Sequence, residues 1–265
     1  GVLYFFYCNR KRWIYNAKSF SNYSFRRMYS IMLLINREDP SFQRTQKIIN
    51  KLKTNKVNFN ANSNIHQYVS KEDLDIMKEC VEELFSAMFE VMLLDTKNDP
   101  NLINTPERIA KVYIDEALSG RFHPAPDMTA FPNESKETQI CSVGPMEIKT
   151  LCSHHFLPIT GHVYIGIVYD KTVLGLSKFS RIIEWIASRP HIQEQAGILI
   201  ADFIEEHVKP LALCVYIKAK HHCMFWRGIK SEGTVFTTII KRGEFLKKES
   251  LFSEFMQTVD KHIQE

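Results

Sequence analysis

Two short segments rich in cysteine and histidine constrain the fold of this chain more than any other feature. Residues 151–155 read Leu-Cys-Ser-His-His and residues 220–223 read Lys-His-His-Cys. Cys152 and His155 have a Cys-x-x-His spacing, and Cys223 follows 71 residues after Cys152. If these side chains bind one metal ion, the fold has to bring two distant parts of the chain together.

Thiolate and imidazole are the ligands that zinc prefers. Cys152, His155 and Cys223 would supply three ligands and leave a fourth position for water, which is typical of a catalytic zinc site. A closed structural site with His154 or His222 as fourth ligand fits the spacing too. A single cysteine is also often a buried apolar residue without a metal.

Two histidines next to the candidate ligands favour catalysis. His154 and His221 each neighbour a candidate ligand without being needed to bind the metal. An imidazole has a pKa near 6.5, so it can carry protons to and from a metal-bound water at neutral pH. A purely structural site has no need of such neighbours.

A set of basic residues indicates a phosphate-binding function. Each basic pair has a spacing of three residues within a predicted helix, which by itself is typical of a solvated helix face. Together, and close to the Cys and His segments, they predict a polyphosphate site. The five residues are Arg108, Lys111, Lys178, Arg181 and Arg227. The sequence has no Gly-x-x-x-x-Gly-Lys-Ser/Thr loop, which excludes a P-loop enzyme.

The dipeptide Gln193-Glu194 is a candidate purine-binding element. A carboxylate can accept two parallel hydrogen bonds from the N1–H and 2-amino groups of guanine, and adenine lacks this donor pair. Glu194 therefore suits guanine recognition, although a glutamate at this position is also an ordinary helix-surface residue.

The hydrophobic pattern predicts an α+β fold in which two strand pairs flank a pair of helices. The apolar residues of the first helix, from Leu74 to Met88, recur every three or four positions and predict a core-facing stripe. The predicted helices cover 71–95, 105–119, 177–188, 191–207 and 250–263. The predicted strands cover 139–150, 161–169, 211–219 and 234–241.

The N-terminal region differs in composition from the rest. Residues 1–37 carry a charge of +7, and the remaining chain carries −3. The mildly acidic body does not suggest a nucleic-acid partner, and no apolar run is long enough to span a bilayer. We expect residues 1–68 to be a basic or polar extension and 69–265 to be catalytic, with a helical part at 69–120. A reduced thiolate site favours the cytoplasm, whereas a transit peptide in 1–37 would direct the chain to an organelle such as the mitochondrion.

Five motifs in order along the chain resemble those of type I GTP cyclohydrolases, and the similarity covers about residues 70–263. The matching motifs are Asn104-Thr105-Pro106-x-Arg108-x-x-Lys111, Cys152-x-His154-His155, Gly175-Leu176-Ser177-Lys178-x-x-Arg181, Arg189-Pro190-x-x-Gln193-Glu194 and His221-x-Cys223-x-x-x-Arg227-Gly228.

This resemblance implies a zinc-dependent hydrolase that opens the imidazole ring of GTP, releases formate and forms 7,8-dihydroneopterin triphosphate. It implies the tunnelling fold with an added N-terminal helical part, assembled as a homodecamer of two pentamers. The product would feed folate, tetrahydrobiopterin or deazapurine synthesis.

The resemblance also implies a role for each matched residue. The zinc ligands are Cys152, His155 and Cys223. The acid–base residues are His154 and His221, and Ser177 lies near the ribose. The guanine-binding residues are Glu194 and Gln193. The triphosphate-binding residues are Arg108, Lys111, Lys178, Arg181 and Arg227.

Departures from the family pattern at Ser153, at Phe225-Trp226 and at Glu184-Trp185-Ile186, together with two alternatives, accompany this interpretation. Ser153 stands where the family usually has glutamate, which removes a contact near the metal. The tunnelling fold also hosts a nicotinamide-dependent nitrile reductase acting on a deazaguanine, but that enzyme lacks the Cys/His zinc triad. A non-catalytic partner that keeps zinc for assembly is the second alternative.

Overall fold

The computed structural model describes residues 3–8, 11–16, 40–136, 138–227, 230–231 and 233–264. Residues 17–37 of the segment predicted as a transit peptide lie outside the described residues. The targeting role of residues 1–37 and the domain boundary at residue 69 both stay predictions. Among the described residues, no helix combines the length and the apolar character needed to cross a membrane.

The described part of the chain contains both helices and strands. The strands β1 to β9 are Leu3–Cys8, Lys11–Asn16, Ala130–Pro132, Cys141–Cys152, Pro158–Val168, Thr172–Leu174, Pro190–His191, Ala212–His221 and Phe236–Gly243. The α-helices α1 to α8 are Pro40–Thr54, Lys71–Val91, Thr105–Lys111, Ser119–Phe122, Leu176–Ala187, Gln193–Val208, His222–Phe225 and Glu249–Gln264. Short 3-10 turns lie at His66–Tyr68 and Glu244–Leu246, and α3 continues as a π-helical segment, Val112–Ala117.

The chain divides into two compact units, residues 1–50 with 71–110, and residues 51–70 with 111–265. The second unit contains a five-stranded sheet in the order β7-β4-β5-β8-β9. Its neighbouring strands are antiparallel except for β7, which runs parallel to β4. This confirms the predicted α+β class, although the two predicted strand pairs form one sheet.

Successive side chains of β5 and β8 point to opposite faces of the sheet, and both faces are covered by other apolar residues. On β5, Val163, Ile165 and Ile167 are buried in the cluster that includes the apolar side chains of α5 and α6. The intervening Tyr164 and Val168 belong to a second cluster with Phe245 and with residues of α8. The sheet is therefore a middle layer between the α5–α6 pair and the C-terminal helix.

Helix α5, Leu176–Ala187, confirms the helix predicted over residues 177–188. Its buried residues Phe179, Ile182, Ile183 and Ile186 recur at helical spacing and form one apolar stripe. Helix α6 packs close to the sheet at Gly197, which has no side chain. A Cβ atom at this position would lie 3.1 Å from Cγ1 of Ile240.

The first unit contains the β1–β2 antiparallel hairpin and helix α2. Arg44 forms ion pairs with Glu72 and Asp73 at the start of α2. The prediction of a core-facing stripe on this helix is wrong at its C-terminal half, where Leu84 is 48% and Met88 43% exposed. These apolar side chains therefore have an open face in the single chain.

We predict that Phe255→Ala lowers the free energy of unfolding by about 3–5 kcal/mol, because it removes a fully buried aromatic ring. Phe255 is 0% exposed, and a Cβ at Gly166 of β5 would lie only 2.7 Å from its Cδ2 atom. Leu246→Ala is the control, since Leu246 is 69% exposed, and we expect a change within about 0.5 kcal/mol. Chemical denaturation measures both, and equal effects would contradict the assigned packing of α8.

Candidate functional site

The pairing of three strands brings the two Cys and His segments together. Strands β4 and β8 are both antiparallel to β5, so their C-terminal ends lie at the same edge of the sheet. Leu151 of β4 pairs with Pro158, and His221 of β8 pairs with Ile159. The ends of β4 and β8 therefore flank the beginning of β5, which confirms the convergence expected from the sequence.

Three candidate ligands meet at this edge. One ligand atom each from Cys152, His155 and Cys223 lie within 4.8 Å of one another, and this is the metal-ligand group found among the described residues. Sγ of Cys152 lies 3.9 Å from Nδ1 of His155. Cys152 is buried, Cys223 is half-buried and His155 is exposed, so the group is open to solvent on one side.

A tight turn after β4 places His155 beside Cys152. The Cys152 amide donates to the Leu157 carbonyl at 2.8 Å, and the Phe156 amide donates to the Cys152 carbonyl at the same distance. The Ser153 amide donates to the carbonyl of His191 in β7 at 3.0 Å. These bonds fix the turn, and the contact of Ser153 with His191 uses only its backbone amide.

The electrostatics of the group favour a cation. Burial raises the pKa of the Cys223 thiol, and the adjacent Cys152 raises it further. Two thiolates this close repel each other, so a divalent ion between them would offset both the repulsion and the lost solvation. The donor set of two sulfurs and an imidazole suits a soft or borderline metal ion.

His221 lies at the inner side of the site. It is half-buried, its Nε2 atom is 2.9 Å from Oε1 of Gln193, and its ring meets that of Phe236 edge to face at 5.7 Å between centroids. Burial lowers the pKa of His221, and the charge of Glu194 opposes this shift. Glu194 is therefore an electrostatic neighbour of His221, as a shared site requires.

The other two histidines lie outside the three-ligand group. Nε2 of His222 is 3.1 Å from Oγ1 of Thr160, which gives His222 a protein partner. His154 is exposed, and its ring centroid is 6.2 Å from that of His155. The arrangement favours the three-ligand interpretation over a closed site with His222 as fourth ligand.

The predicted phosphate-binding residues lie on several different elements. Arg227 follows α7 and is exposed, and its charge opposes slightly the rise in the pKa of Cys223 that burial causes, so it is near the ligand group. At the start of α5, Ser177 and Arg181 are exposed and Lys178 is half-buried.

The two remaining predicted phosphate ligands are on helix α3. Arg108 belongs to the first compact unit, and its Nη2 atom donates to Oγ1 of Thr105 at 2.6 Å. Lys111 is exposed at the end of the same helix and belongs to the second unit. The phosphate-binding roles of all five cations stay predictions.

Buried residues next to the site support the edge of the sheet. The guanidinium of Arg189 stacks on the ring of Trp185 at 3.8 Å, and burial lowers its pKa to about 10. Its carbonyl accepts a 2.6 Å hydrogen bond from Oγ1 of Thr150. Arg189 thereby anchors the segment that leads into β7, which pairs with the end of β4 at Cys152.

Sequence reasoning did not single out Thr160, His191 or Thr238. Thr160 contacts His222, His191 supports the turn after β4, and Thr238 contacts Gln193. Each acts through a partner on another strand or helix, so the local sequence pattern carries no signal for these roles.

The matching family model and the similar curated proteins give one family. The family model for GTP cyclohydrolase I matches residues 78–260. The GTP cyclohydrolase 1 of Wigglesworthia glossinidia brevipalpis is 34% identical over 71% of this chain and 86% of that protein. The protein of the same name from Methylococcus capsulatus is 34% identical over 69% of this chain and 98% of that protein. The GTP cyclohydrolase 1 of Haemophilus ducreyi is 30% identical over 72% of this chain and 87% of that protein.

Among solved structures, the apo form of archaeosine synthase QueF-Like aligns with a TM-score of 0.31 and 12% identity. The alignment covers 45% of this chain and 97% of that chain. This similarity is too low to carry a conclusion about the fold.

We predict that Cys223→Ser abolishes stoichiometric metal binding, because serine replaces a thiolate ligand by a poorly ionised hydroxyl. Cys141→Ser is the matched control, since Cys141 is an exposed free cysteine at the other end of β4. Elemental analysis of the purified chains measures the metal. Retention of metal by Cys223→Ser, or equal loss in Cys141→Ser, would contradict the ligand assignment.

Proposed function

Because the chain belongs to the GTP cyclohydrolase I family, we propose that it hydrolyses the imidazole ring of GTP. The products are formate and 7,8-dihydroneopterin triphosphate, so the reaction is the first step of pterin and folate biosynthesis. The observation that carries the proposal is the convergence of Cys152, His155 and Cys223 at one sheet edge. His221 precedes Cys223 by two residues, and Glu194 is an electrostatic neighbour of His221.

The metal of this proposal is zinc, which fits two sulfurs and an imidazole better than a hard cation does. Bound at these three residues, zinc would supply a water of lowered pKa as the nucleophile for ring opening. His155 is exposed, so this water could reach the group from solvent.

Proton transfer is assigned to two histidines that are not ligands. Opening the ring requires proton donation to the departing nitrogen, and rearrangement of the ribose requires a second donor near its ring oxygen. His221 is half-buried and His154 is exposed. Their different positions suit two different proton acceptors, and Ser177 is assigned to the ribose.

Recognition of GTP combines one carboxylate with several cations. Glu194 is exposed in the first turn of α6 and accepts from the N1–H and 2-amino groups of guanine. A triphosphate carries about four negative charges, which the predicted cations neutralise by charge-assisted hydrogen bonds. Those cations are Arg108, Lys111, Lys178, Arg181 and Arg227. Because Arg227 lies near Cys223, it is the cation that links phosphate binding to the metal group.

Assembly is part of the proposed function. We assign the chain to a homodecamer of two pentamers, as its family implies. The exposed Leu84 and Met88 on α2 support subunit association, because an apolar stripe at helical spacing favours burial against another surface. The proposed location is the cytoplasm, with a mitochondrial location if residues 1–37 act as a transit peptide.

We predict that the purified full-length chain, loaded with zinc, releases formate and pterin from GTP in equal amounts. Formate is measured enzymatically, and the pterin by its fluorescence after oxidation. Formate without pterin would indicate ring opening without reclosure. Oxidation of NADPH by a cyano-deazaguanine, with no reaction of GTP, would instead indicate a nitrile reductase.

We predict that His221→Ala keeps its zinc but loses turnover by about 10²–10⁴-fold, which is the usual contribution of a positioned acid–base residue. Elemental analysis and single-turnover kinetics measure the two properties on one preparation. Loss of zinc in this variant would identify His221 as a ligand and contradict its assigned role.

We predict that Arg227→Ala raises KM for GTP by about 10-fold or more, because it removes a charge-assisted hydrogen bond to phosphate. Lys230→Ala is the matched control, since Lys230 is a second exposed cation three residues further on. An unchanged KM in Arg227→Ala, or an equal rise in the control, would remove Arg227 from the phosphate site.

A further inference from the structure

The side chain of Gln193 is enclosed and fully hydrogen-bonded. It is 2% exposed at the first position of α6, where the helix meets the sheet. Its Nε2 atom lies 3.0 Å from the Phe236 carbonyl, 3.1 Å from Oγ1 of Thr238 and 3.3 Å from the Ile217 carbonyl. At the other end of the amide, Oε1 lies 2.9 Å from Nε2 of His221.

These contacts fix the orientation of the amide. A carbonyl oxygen can only accept hydrogen bonds, so the end of Gln193 that faces Ile217 and Phe236 has to be the NH₂ group. The reversed amide would set its oxygen against two carbonyl oxygens in a buried place, at the cost of two lost hydrogen bonds. The amide oxygen therefore faces His221.

The orientation of Gln193 determines which nitrogen of His221 carries the proton. The amide oxygen is an acceptor, so Nε2 of His221 has to be the donor in the 2.9 Å contact. In the neutral ring, Nδ1 is then the unprotonated nitrogen, with its lone pair available to accept a proton. Phe236 packs edge to face against the same ring and restricts its rotation.

We infer that Gln193 is a positioning residue that holds His221 in the Nε2–H tautomer, instead of a residue that binds the purine. This inference rests on the proposed function, in which His221 transfers protons. It replaces the guanine-binding role predicted from the sequence, because both ends of the amide already have protein partners. Glu194, the next residue, is exposed and remains the candidate for guanine.

The test compares Gln193→Leu with two other variants of the zinc-loaded full-length chain. Leucine has nearly the same size and neither accepts nor donates. Gln193→Glu is the conservative variant, since it keeps an oxygen that accepts from Nε2 of His221, while its second oxygen has to carry a proton to donate to the carbonyls that the amide nitrogen faces. Thr238→Val is the matched control, because it removes one partner of the amide nitrogen and leaves the two carbonyl partners in place.

The first readout is independent of GTP turnover. Magic-angle-spinning NMR of chains labelled with ¹⁵N-histidine distinguishes protonated from unprotonated ring nitrogens, and the spectrum of His221→Ala assigns the His221 signals. At about pH 8, where the neutral imidazole dominates, we expect the Nε2–H form in the parent chain and in Thr238→Val. In Gln193→Leu we expect a mixture of the two tautomers.

The second readout is kinetic. We expect Gln193→Leu to lower kcat by about 10-fold or more, part of the 10²–10⁴-fold contribution of an acid–base residue, with KM within twofold and zinc unchanged. Gln193→Glu should recover part of that loss, and Thr238→Val should stay within twofold of the parent. A higher KM with unchanged kcat would identify Gln193 as a substrate ligand and overturn the inference.

The two proposals fail in different ways. An unchanged His221 tautomer in Gln193→Leu would overturn the positioning role, whatever the turnover of GTP. If the parent chain did not convert GTP but its tautomer still depended on Gln193, the proposed function would be wrong and the positioning of His221 would stand.

Discussion

The antiparallel pairing of β5 with both of its neighbours is the constraint on which the candidate site depends. It forces β4 and β8 to run in the same direction, so their C-terminal ends reach one edge of the sheet together. Residues 71 positions apart in the chain thereby become neighbours. A shift of one residue in either pairing would turn Cys152 or His221 to the opposite face of the sheet. The geometry of the site therefore depends on the register of these strands.

That register is held by packing on both faces of the sheet. Val163 and Ile165 of β5 are buried beneath α5 and α6, and Tyr164 packs among residues of the C-terminal helix. The buried apolar side chains of the strand therefore divide between the two faces, and a slipped register would expose apolar surface on each. The site lies at the C-terminal ends of β4 and β8, where these strands lead into turns.

The sequence pattern predicted the parts of the molecule whose cause is local. The stripe from Phe179 to Ile186 repeats at helical spacing, and the helix lies where it was expected. The ligand group could be predicted because Cys and His pairs have few other uses at that spacing. The contacts of Gln193 could not be predicted, because its partners lie on β8 and β9, 24 to 45 residues further on. The exposure of Leu84 could not be predicted either, since periodicity shows that a helix has an apolar face but not what covers it.

The partners of the spare histidines bear on whether the metal site is catalytic or structural. A structural site needs a fourth protein ligand, and the imidazoles nearest in sequence to Cys223 are already engaged. His222 contacts Thr160, and His221 contacts Gln193. Moving either ring to a metal would break a hydrogen bond of a half-buried side chain, and for His221 it would leave the buried amide oxygen of Gln193 without its donor. The contacts of these two rings therefore argue against a closed site completed by His221 or His222, and they support the proposal of an enzyme in which solvent or substrate takes the fourth position.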